Sequence, residues 1–181
     1  MCRLASLRFH QLQQTDLLSN AVQRFARYNL GAGIGTGLNG ASYCLTINGG
    51  NIKAFGSSWN GPAIGVPDNN PCYGAITVNG GELYLMGSGN GSPGIGGRYL
   101  KEITITGGTI HAEKAGNSDG WRRGAFCAEK ISVEGGTIVA NAQNVSAIFS
   151  SLGNITIKGG SILANGVIPM GKIVQDEETL E

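Results

Sequence analysis

Short runs of alternating aliphatic and polar residues recur along the chain, and each run is followed by two glycines. The clearest copy is ITITGGTIHA at residues 103–112. Alternation with a period of two places the aliphatic side chains on one face of a β-strand and the polar side chains on the other. Glycine accepts positive φ and leaves no Cβ in a tight corner. The pattern therefore predicts two short strands joined at a Gly-Gly corner.

The unit recurs five times, which is the signature of a repeat architecture. A second, glycine-rich line precedes each copy, so each unit carries three extended segments, which we call the first, second and third sides in chain order. The Gly-Gly pairs join the second side to the third; they begin at Gly49, Gly80, Gly107, Gly135 and Gly159, at spacings of 31, 27, 28 and 24 residues. The first sides are GAGIG at 31–35, GPAIG at 61–65, SPGIG at 92–96, RGAFC at 123–127 and VSAIF at 145–149.

A single coil of this kind cannot bury its own aliphatic face, so successive coils must stack with their sides paired as parallel strands about 4.8 Å apart. The sequence therefore predicts an all-β fold, a short right-handed parallel β-helix of about five coils. Stacking predicts columns of buried aliphatic side chains, one of them being Ile47, Val78, Ile105, Val133 and Ile157. The rival arrangement is a stack of antiparallel hairpins with turns at the Gly-Gly pairs, which leaves the first side unexplained.

The two ends of the chain differ from the repeats. Residues 15–28 place apolar side chains on one helical face, and this face consists of Leu17, Leu18, Ala21, Val22 and Phe25. An open end of a β-helix exposes edge strands, so we expect this amphipathic helix to cap the first coil. The predicted organisation is an N-terminal segment with the capping helix at 1–30, a parallel β-helix at 31–168 and a polar C-terminal tail at 169–181.

Composition and charge narrow the class of partner. Glycine supplies 31 of the 181 residues, and the formal net charge is only +1. Such a balance gives no electrostatic reason to expect nucleic acid. No apolar run is long enough to cross a bilayer, so no membrane insertion is expected. The opening residues, MCRLASLRFHQLQQ, lack the continuous apolar core of a signal peptide. Nothing in the sequence addresses the oligomeric state.

Cysteine spacing and glycine motifs give no reason to expect a cofactor. Cys2, Cys44, Cys72 and Cys127 form no CxxC pair and have no histidine at metal-ligand spacing, so no zinc site is expected. Four cysteines in a chain this long also give no reason to expect a disulfide framework. Two Gly-x-Gly-x-x-Gly strings, at 35–40 and 89–94, open no helical pattern, which a dinucleotide site requires. We therefore expect no metal and no cofactor.

Carboxylates suited to sugar chemistry are sparse in the repeats. A glycosidase needs two carboxyl groups about 5–9.5 Å apart. The strongest candidate cluster lies on one coil and consists of His111, Glu113, Lys114, Asp119, Arg122 and Arg123. Such a cluster is more typical of a solvated loop with surface ion pairs. The sequence assigns no catalytic residue.

Two tryptophans suggest a ligand surface instead. Trp59 lies five residues before Ile64, Trp121 lies five before Phe126, and Asn90 occupies the equivalent place between them. In this register the two indoles lie two rungs apart on one edge, about 9.6 Å from each other. Aromatic rings in a row can stack on sugar faces, whereas rings folded over their own loops only shield the coil edge. The predicted ligand-binding set is Trp59, Asn90, Tyr99, Trp121, Arg122 and Arg123.

The repeated ITI-x-GG-x-I-x-A lines, with GAGIG, GPAIG and SPGIG, resemble the Gly-Gly repeat regions of bacterial surface proteins, which are right-handed parallel β-helices often labelled carbohydrate-binding. The resemblance covers roughly residues 31–166. It implies an extracellular or cell-surface location and adhesion to glycans. Calcium-binding relatives carry Asp-rich coil corners, which this chain lacks, and no catalytic motif of the family is present to carry over.

The function expected from the sequence is therefore a non-catalytic binding or adhesion module for polysaccharide or glycan, built on a β-helix. One alternative is a passive structural stalk or a repeat fragment of a larger surface protein. The other alternative is a polysaccharide lyase or hydrolase.

Overall fold

The computed structural model describes residues 32–36, 44–56, 61–67, 74–87, 92–115 and 124–171, and these residues contain strands and no helix. In chain order the strands are β1 (Ile34–Gly35), β2 (Cys44–Ile47), β3 (Asn51–Phe55), β4 (Ile64–Gly65), β5 (Ala75–Val78), β6 (Glu82–Gly87), β7 (Ile95–Gly96), β8 (Glu102–Ile105), β9 (Thr109–Lys114), β10 (Phe126–Val133), β11 (Thr137–Ala142), β12 (Ser146–Ile157), β13 (Ser161–Asn165) and β14 (Ile168–Gly171).

The strands stack into three ladders, one for each side of the coil. The first ladder is β1–β4–β7–β10–β12–β14, the second is β2–β5–β8–β10–β12, and the third is β3–β6–β9–β11–β13. Every pairing between these strands is parallel. The chain is therefore a parallel β-solenoid that makes four turns between β3 and β13. The predicted parallel architecture is confirmed, and the rival hairpin stack is wrong.

The register of the ladders confirms the predicted columns. Ile47, Val78, Ile105, Val133 and Ile157 pair directly from rung to rung. The other columns are Ile34, Ile64, Ile95, Phe126 and Ile148 on the first side, Leu45, Ile76, Ile103, Ile131 and Ile155 on the second, and Ile52, Leu83, Ile110, Ile138 and Ile162 on the third. Most of these side chains belong to one buried cluster, whose removal from water stabilises the stack.

The Gly-Gly corners behave as the sequence predicts. The second glycine of every pair has a φ between 92° and 100°, a region that side chains with a Cβ rarely adopt. A Cβ on Gly108 would also lie 2.9 Å from the Gly81 carbonyl oxygen of the preceding coil. Glycine is required here by the backbone conformation and by the short distance between rungs.

The first and second sides run together in the last two coils, which the sequence did not predict. Three separate segments per coil are seen in the earlier coils, whereas β10 and β12 each span both sides as one strand. Phe126 and Ile131 are too close in sequence to leave room for a loop between the two sides. The register shifts between Ala128 and Lys130, where β12 holds extra residues opposite Glu129.

Ser150 satisfies the backbone at this irregularity. Its side chain is fully buried, and its hydroxyl donates to the Glu129 carbonyl oxygen at 2.6 Å. The hydroxyl oxygen in turn accepts hydrogen bonds from the backbone N–H groups of Gly153 at 3.0 Å and Asn154 at 2.9 Å. One hydroxyl therefore replaces ladder hydrogen bonds that the bulged strands cannot make.

Replacing Ser150 by alanine should lower the free energy of unfolding by about 1–3 kcal/mol, because it leaves buried backbone groups without partners. Ser161→Ala is the matched control, since Ser161 is exposed on β13. Urea denaturation followed by circular dichroism measures both variants. Equal stability of the two would mean that water or another group replaces the Ser150 hydroxyl.

In the inner coils, the first side is buried on both of its faces. Successive side chains of a strand point to opposite faces. Ala63 and Ile64 are both fully buried, as are Ala125 and Phe126 in a later coil. On the third side, by contrast, burial alternates strictly along β6. Among the described residues of the inner coils, outward-facing side chains open to a ligand are therefore found on the second and third sides.

The two ends of the described solenoid differ in exposure. Ile47 in the first coil is 6% exposed, whereas Ile157, its column partner in the last coil, is 42% exposed. Other exposed aliphatic side chains in the last coil are Leu152, Leu163, Val167 and Ile168. β14 ends at Gly171, past the boundary predicted at residue 168. The predicted capping helix at 15–28 lies outside the described residues, as do residues 172–181.

Candidate binding groove on the third side

The outer face of the third side presents a regular array of side chains. Alternation along β3, β6 and β9 sends Ala54, Leu85 and Ala112 into the core and leaves the residues on either side of them facing outward. In-register pairing then stacks the outward residues in columns. The central column begins Lys53, Tyr84, His111, and the column beside it begins Phe55, Met86, Glu113.

Aromatic stacking follows from this register. The Tyr84 and His111 rings lie with their centroids 4.9 Å apart and their planes 4° from parallel. The Lys53 ammonium lies 5.6 Å from the centroid of the Tyr84 ring. The spacing of the rings matches the strand spacing, because each ring stands on its own rung. Tyr84 is therefore held between a cation from one neighbouring rung and an imidazole from the other.

The Tyr84 hydroxyl is also held in place. It donates a hydrogen bond to Glu82 Oε1 at 2.5 Å. This hydrogen bond and the negative charge of Glu82 raise the pKa of Tyr84 above its usual value. The ring is therefore contacted at both of its faces and at its hydroxyl.

A shallow groove of about 300 Å³ runs across β3, β6 and β9 and reaches Asn141 on β11. Its main lining residues are Lys53, Phe55, Tyr84, Met86, His111 and Glu113, and we call it the third-side groove. Phe55, Tyr84 and Met86 are 37%, 39% and 36% exposed, so apolar surface remains open beside charged and hydrogen-bonding groups. Its volume is at the lower end of the range for ligand sites in proteins.

Most of the sequence-predicted site lies outside the described residues. These undescribed residues are Trp59, Asn90, Trp121, Arg122 and Arg123. Tyr99 is described; it is half-buried with the Arg98 guanidinium 5.2 Å from its ring centroid. It follows β7, so the first side separates it from the third-side groove.

The placement of the tryptophans stays a prediction, but the residues from which their positions were counted are described. Ile64, Ile95 and Phe126, each five residues after Trp59, Asn90 or Trp121, stack in one column. In the sequence, Trp59, Asn90 and Trp121 belong to the segments that follow β3, β6 and β9. Phe55 and Met86 are at those strand ends, so the groove borders the edge from which the segments depart.

The cluster proposed from sequence around His111 is divided by the sheet. His111 and Glu113 face outward on β9, whereas Lys114 falls in the inward register and is only 2% exposed. Its rung neighbours are the small residues Gly87 and Ala142. Burial lowers the pKa of Lys114. Lys114 therefore cannot act beside His111 and Glu113 on the groove.

Sequence reasoning overlooked Phe55, Met86 and the stack of Lys53, Tyr84 and His111. The signal was present, because each of these residues occupies an x position of the x-Ile-x-Ala line or the position directly after it. Aligning the five third sides would have placed Lys53, Tyr84 and His111 in one outward column. The tryptophans drew attention to the loops instead.

The cysteines show one departure from expectation. The spacing gave no reason to expect a disulfide framework, yet Cys44 is disulfide-bonded, and its partner lies outside the described residues. Cys127 carries a buried thiol on the first side.

In the described part of the chain, no group of three or more His, Cys, Asp or Glu side chains is arranged to hold a metal ion. Nor do those residues include a helix long and apolar enough to span a bilayer. The chain matches no protein-family model, no curated protein and no solved structure.

Proposed function

We propose that this chain is a non-catalytic binding or adhesion module for polysaccharide or glycan, with the third-side groove as its primary site. The observation that carries the proposal is the exposed apolar surface of Phe55, Tyr84 and Met86. This surface lies beside the polar side chains of Lys53, His111 and Glu113. A sugar presents apolar C–H faces and many hydroxyl groups, so its site must combine both kinds of contact.

The groove suits an extended ligand. It crosses three rungs, which span about 10 Å at the strand spacing of parallel sheets. Two of the strands beneath it are fixed by ladder hydrogen bonds on both sides, because β6 pairs with β3 and β9, and β9 pairs with β6 and β11. A rigid, flat surface loses little conformational entropy when a chain-like ligand lies along it.

The ring geometry favours one mode of contact between a sugar and the groove. Both faces of Tyr84 are occupied, one by His111 and the other by Lys53. A sugar ring therefore packs on Phe55 and Met86, while the Tyr84 hydroxyl and the His111 nitrogens supply hydrogen bonds at the rim. The stacking role predicted for Trp59 and Trp121 stays a prediction, because both residues lie outside the described part of the chain.

We also propose an extracellular or cell-surface location and membership of the Gly-Gly repeat β-helix class. The disulfide at Cys44 supports the location, because disulfides persist mainly in oxidising compartments. Titrating thiols in the unfolded full chain, with and without reductant, tests this. If protein from its native source gave the same number of thiols with and without reductant, it would hold no disulfide, which would contradict the proposed location.

The binding test begins with a glycan array and continues with the polysaccharide that the array identifies. We expect the double variant Phe55→Ala, Met86→Ala to lose at least about tenfold in affinity, since two apolar contacts are removed. Leu163→Ala is the matched control, because Leu163 is exposed on the same side but on β13, outside the groove. The double variant Trp59→Ala, Trp121→Ala tests the site predicted from the sequence separately.

The outcomes separate the three functions. Binding that survives in the Phe55, Met86 variant removes the groove as the site. No reproducible binding by the unmodified chain favours a passive stalk. Release of soluble products from pectin or a similar polymer would contradict the non-catalytic proposal and favour a lyase or hydrolase.

A further inference from the structure

Charged side chains on the second side of the described coils form ion pairs. Along the second side and its corner, stacking places lysine beside glutamate. Lys101 Nζ lies 2.7 Å from Glu129, Lys130 Nζ lies 2.9 Å from Glu102, and Lys158 Nζ lies 3.7 Å from Glu134. The coils therefore neutralise their charges on this side by pairing them between adjacent rungs.

The charged side chains of the third-side groove are not paired between rungs in this way. Lys53 and Glu113 both face outward there, and neither forms an ion pair with another described residue. A second carboxylate beside the groove, Glu82, accepts the hydrogen bond of the Tyr84 hydroxyl. Lys53 is on β3 and Glu113 is on β9, so the β6 rung separates them. Two rungs correspond to about 9.6 Å between strands.

A ligand in this groove must meet both charges. Covering an ionised side chain without a compensating partner is costly. A neutral glycan leaves Lys53 and Glu113 without charged partners, and a purely anionic glycan is repelled at Glu113 and Glu82. The groove therefore favours a ligand with an anionic group at one end and a cationic group at the other.

We propose that the third-side groove selects a zwitterionic polysaccharide, whose repeat carries both an acidic sugar and a free amino sugar. Its carboxylate contacts the Lys53 ammonium, and its ammonium contacts the Glu113 carboxylate. Between them the sugar chain crosses the β6 rung, over Met86 and the Tyr84 hydroxyl. This inference rests on the glycan binding proposed above and adds the charge pattern of the ligand.

The experiment uses the full chain and three forms of one polymer. The parent polysaccharide carries a uronic acid and a free amino sugar, the second form is N-acetylated, and the third is carboxyl-reduced. We expect each modification to weaken binding at least about tenfold, the value of one charge-assisted hydrogen bond. Isothermal titration calorimetry gives the dissociation constants.

Two variants assign the charges to their partners. Lys53→Gln should weaken binding to the parent polymer but leave binding to the carboxyl-reduced form unchanged. Glu113→Gln should weaken binding to the parent polymer but leave binding to the N-acetylated form unchanged. Lys130→Gln and Glu102→Gln are the matched controls, since they change the same residue types on the second side. Thermal unfolding midpoints confirm that all four variants are folded.

Three results would overturn the inference. Equal affinity for the three polymers would show that charge does not select the ligand, while the loss in the Phe55, Met86 variant would still support glycan binding. Binding to other array glycans but to none of the three polymers would likewise reject charge selection and leave glycan binding intact. The absence of any glycan binding would remove the proposed function and this inference together.

Discussion

Replacing Gly108 by alanine is expected to lower the free energy of unfolding by about 2–5 kcal/mol, combining backbone strain with a clash between coils. Gly108 has a φ of 92°, and a Cβ there would lie 2.9 Å from both the Gly80 carbonyl carbon and the Gly81 carbonyl oxygen. These are backbone atoms of the preceding coil, so they cannot move aside without disturbing the ladder. Urea denaturation of the purified variant measures the change.

Gly50→Ala is the control that separates the two causes. Gly50 occupies the same corner in the first described coil with a φ of 96°, but a Cβ there meets nothing within 4 Å. It should lose only the conformational part, about 1–2 kcal/mol. The difference between the two variants then reports the steric cost of stacking. Equal losses would contradict the close approach of neighbouring Gly-Gly corners.

Replacing Ile105 by alanine is the second large effect, with an expected loss of about 2–5 kcal/mol. Ile105 is fully buried between Val78 and Val133 in its column. Truncation removes apolar contacts on both sides and leaves a cavity that rigid ladders cannot close. Denaturant unfolding and the amide exchange of the neighbouring rungs measure the effect.

Ile157→Ala is the matched control in the same column. Ile157 is 42% exposed and has only one described rung neighbour in the column, Val133. The expected loss is at most about 1–2 kcal/mol, because much of this side chain already meets water. A loss equal to that of Ile105→Ala would mean that something covers the last coil in solution.

The sequence by itself determined the repeating part of this architecture. Period-two alternation identified the buried aliphatic columns, and the Gly-Gly pairs identified the corners where φ is positive. Register followed from the same units, because a shift of one residue would turn every isoleucine outward. These properties are local, or repeat identically from coil to coil, so one chain carries enough information to predict them.

Some features were within reach of the sequence but were not deduced. Lys114 lies two residues after Ala112 and four after Ile110, and both of these face the core. Strict alternation therefore predicts that Lys114 faces inward, away from His111. The central column of Lys53, Tyr84 and His111 follows from the same alignment of third sides.

Only the tertiary structure decided the third-side groove, the two-faced burial of the first side and the merging of sides in β10 and β12. The groove depends on side chains that lie 27–31 residues apart in sequence and on the way their rings settle against each other. Burial of Ala63 and Ile64 together requires cover from outside the coil. The merged strands depend on a register shift that Ser150 satisfies. Such properties arise from packing between coils, which no repeat pattern contains.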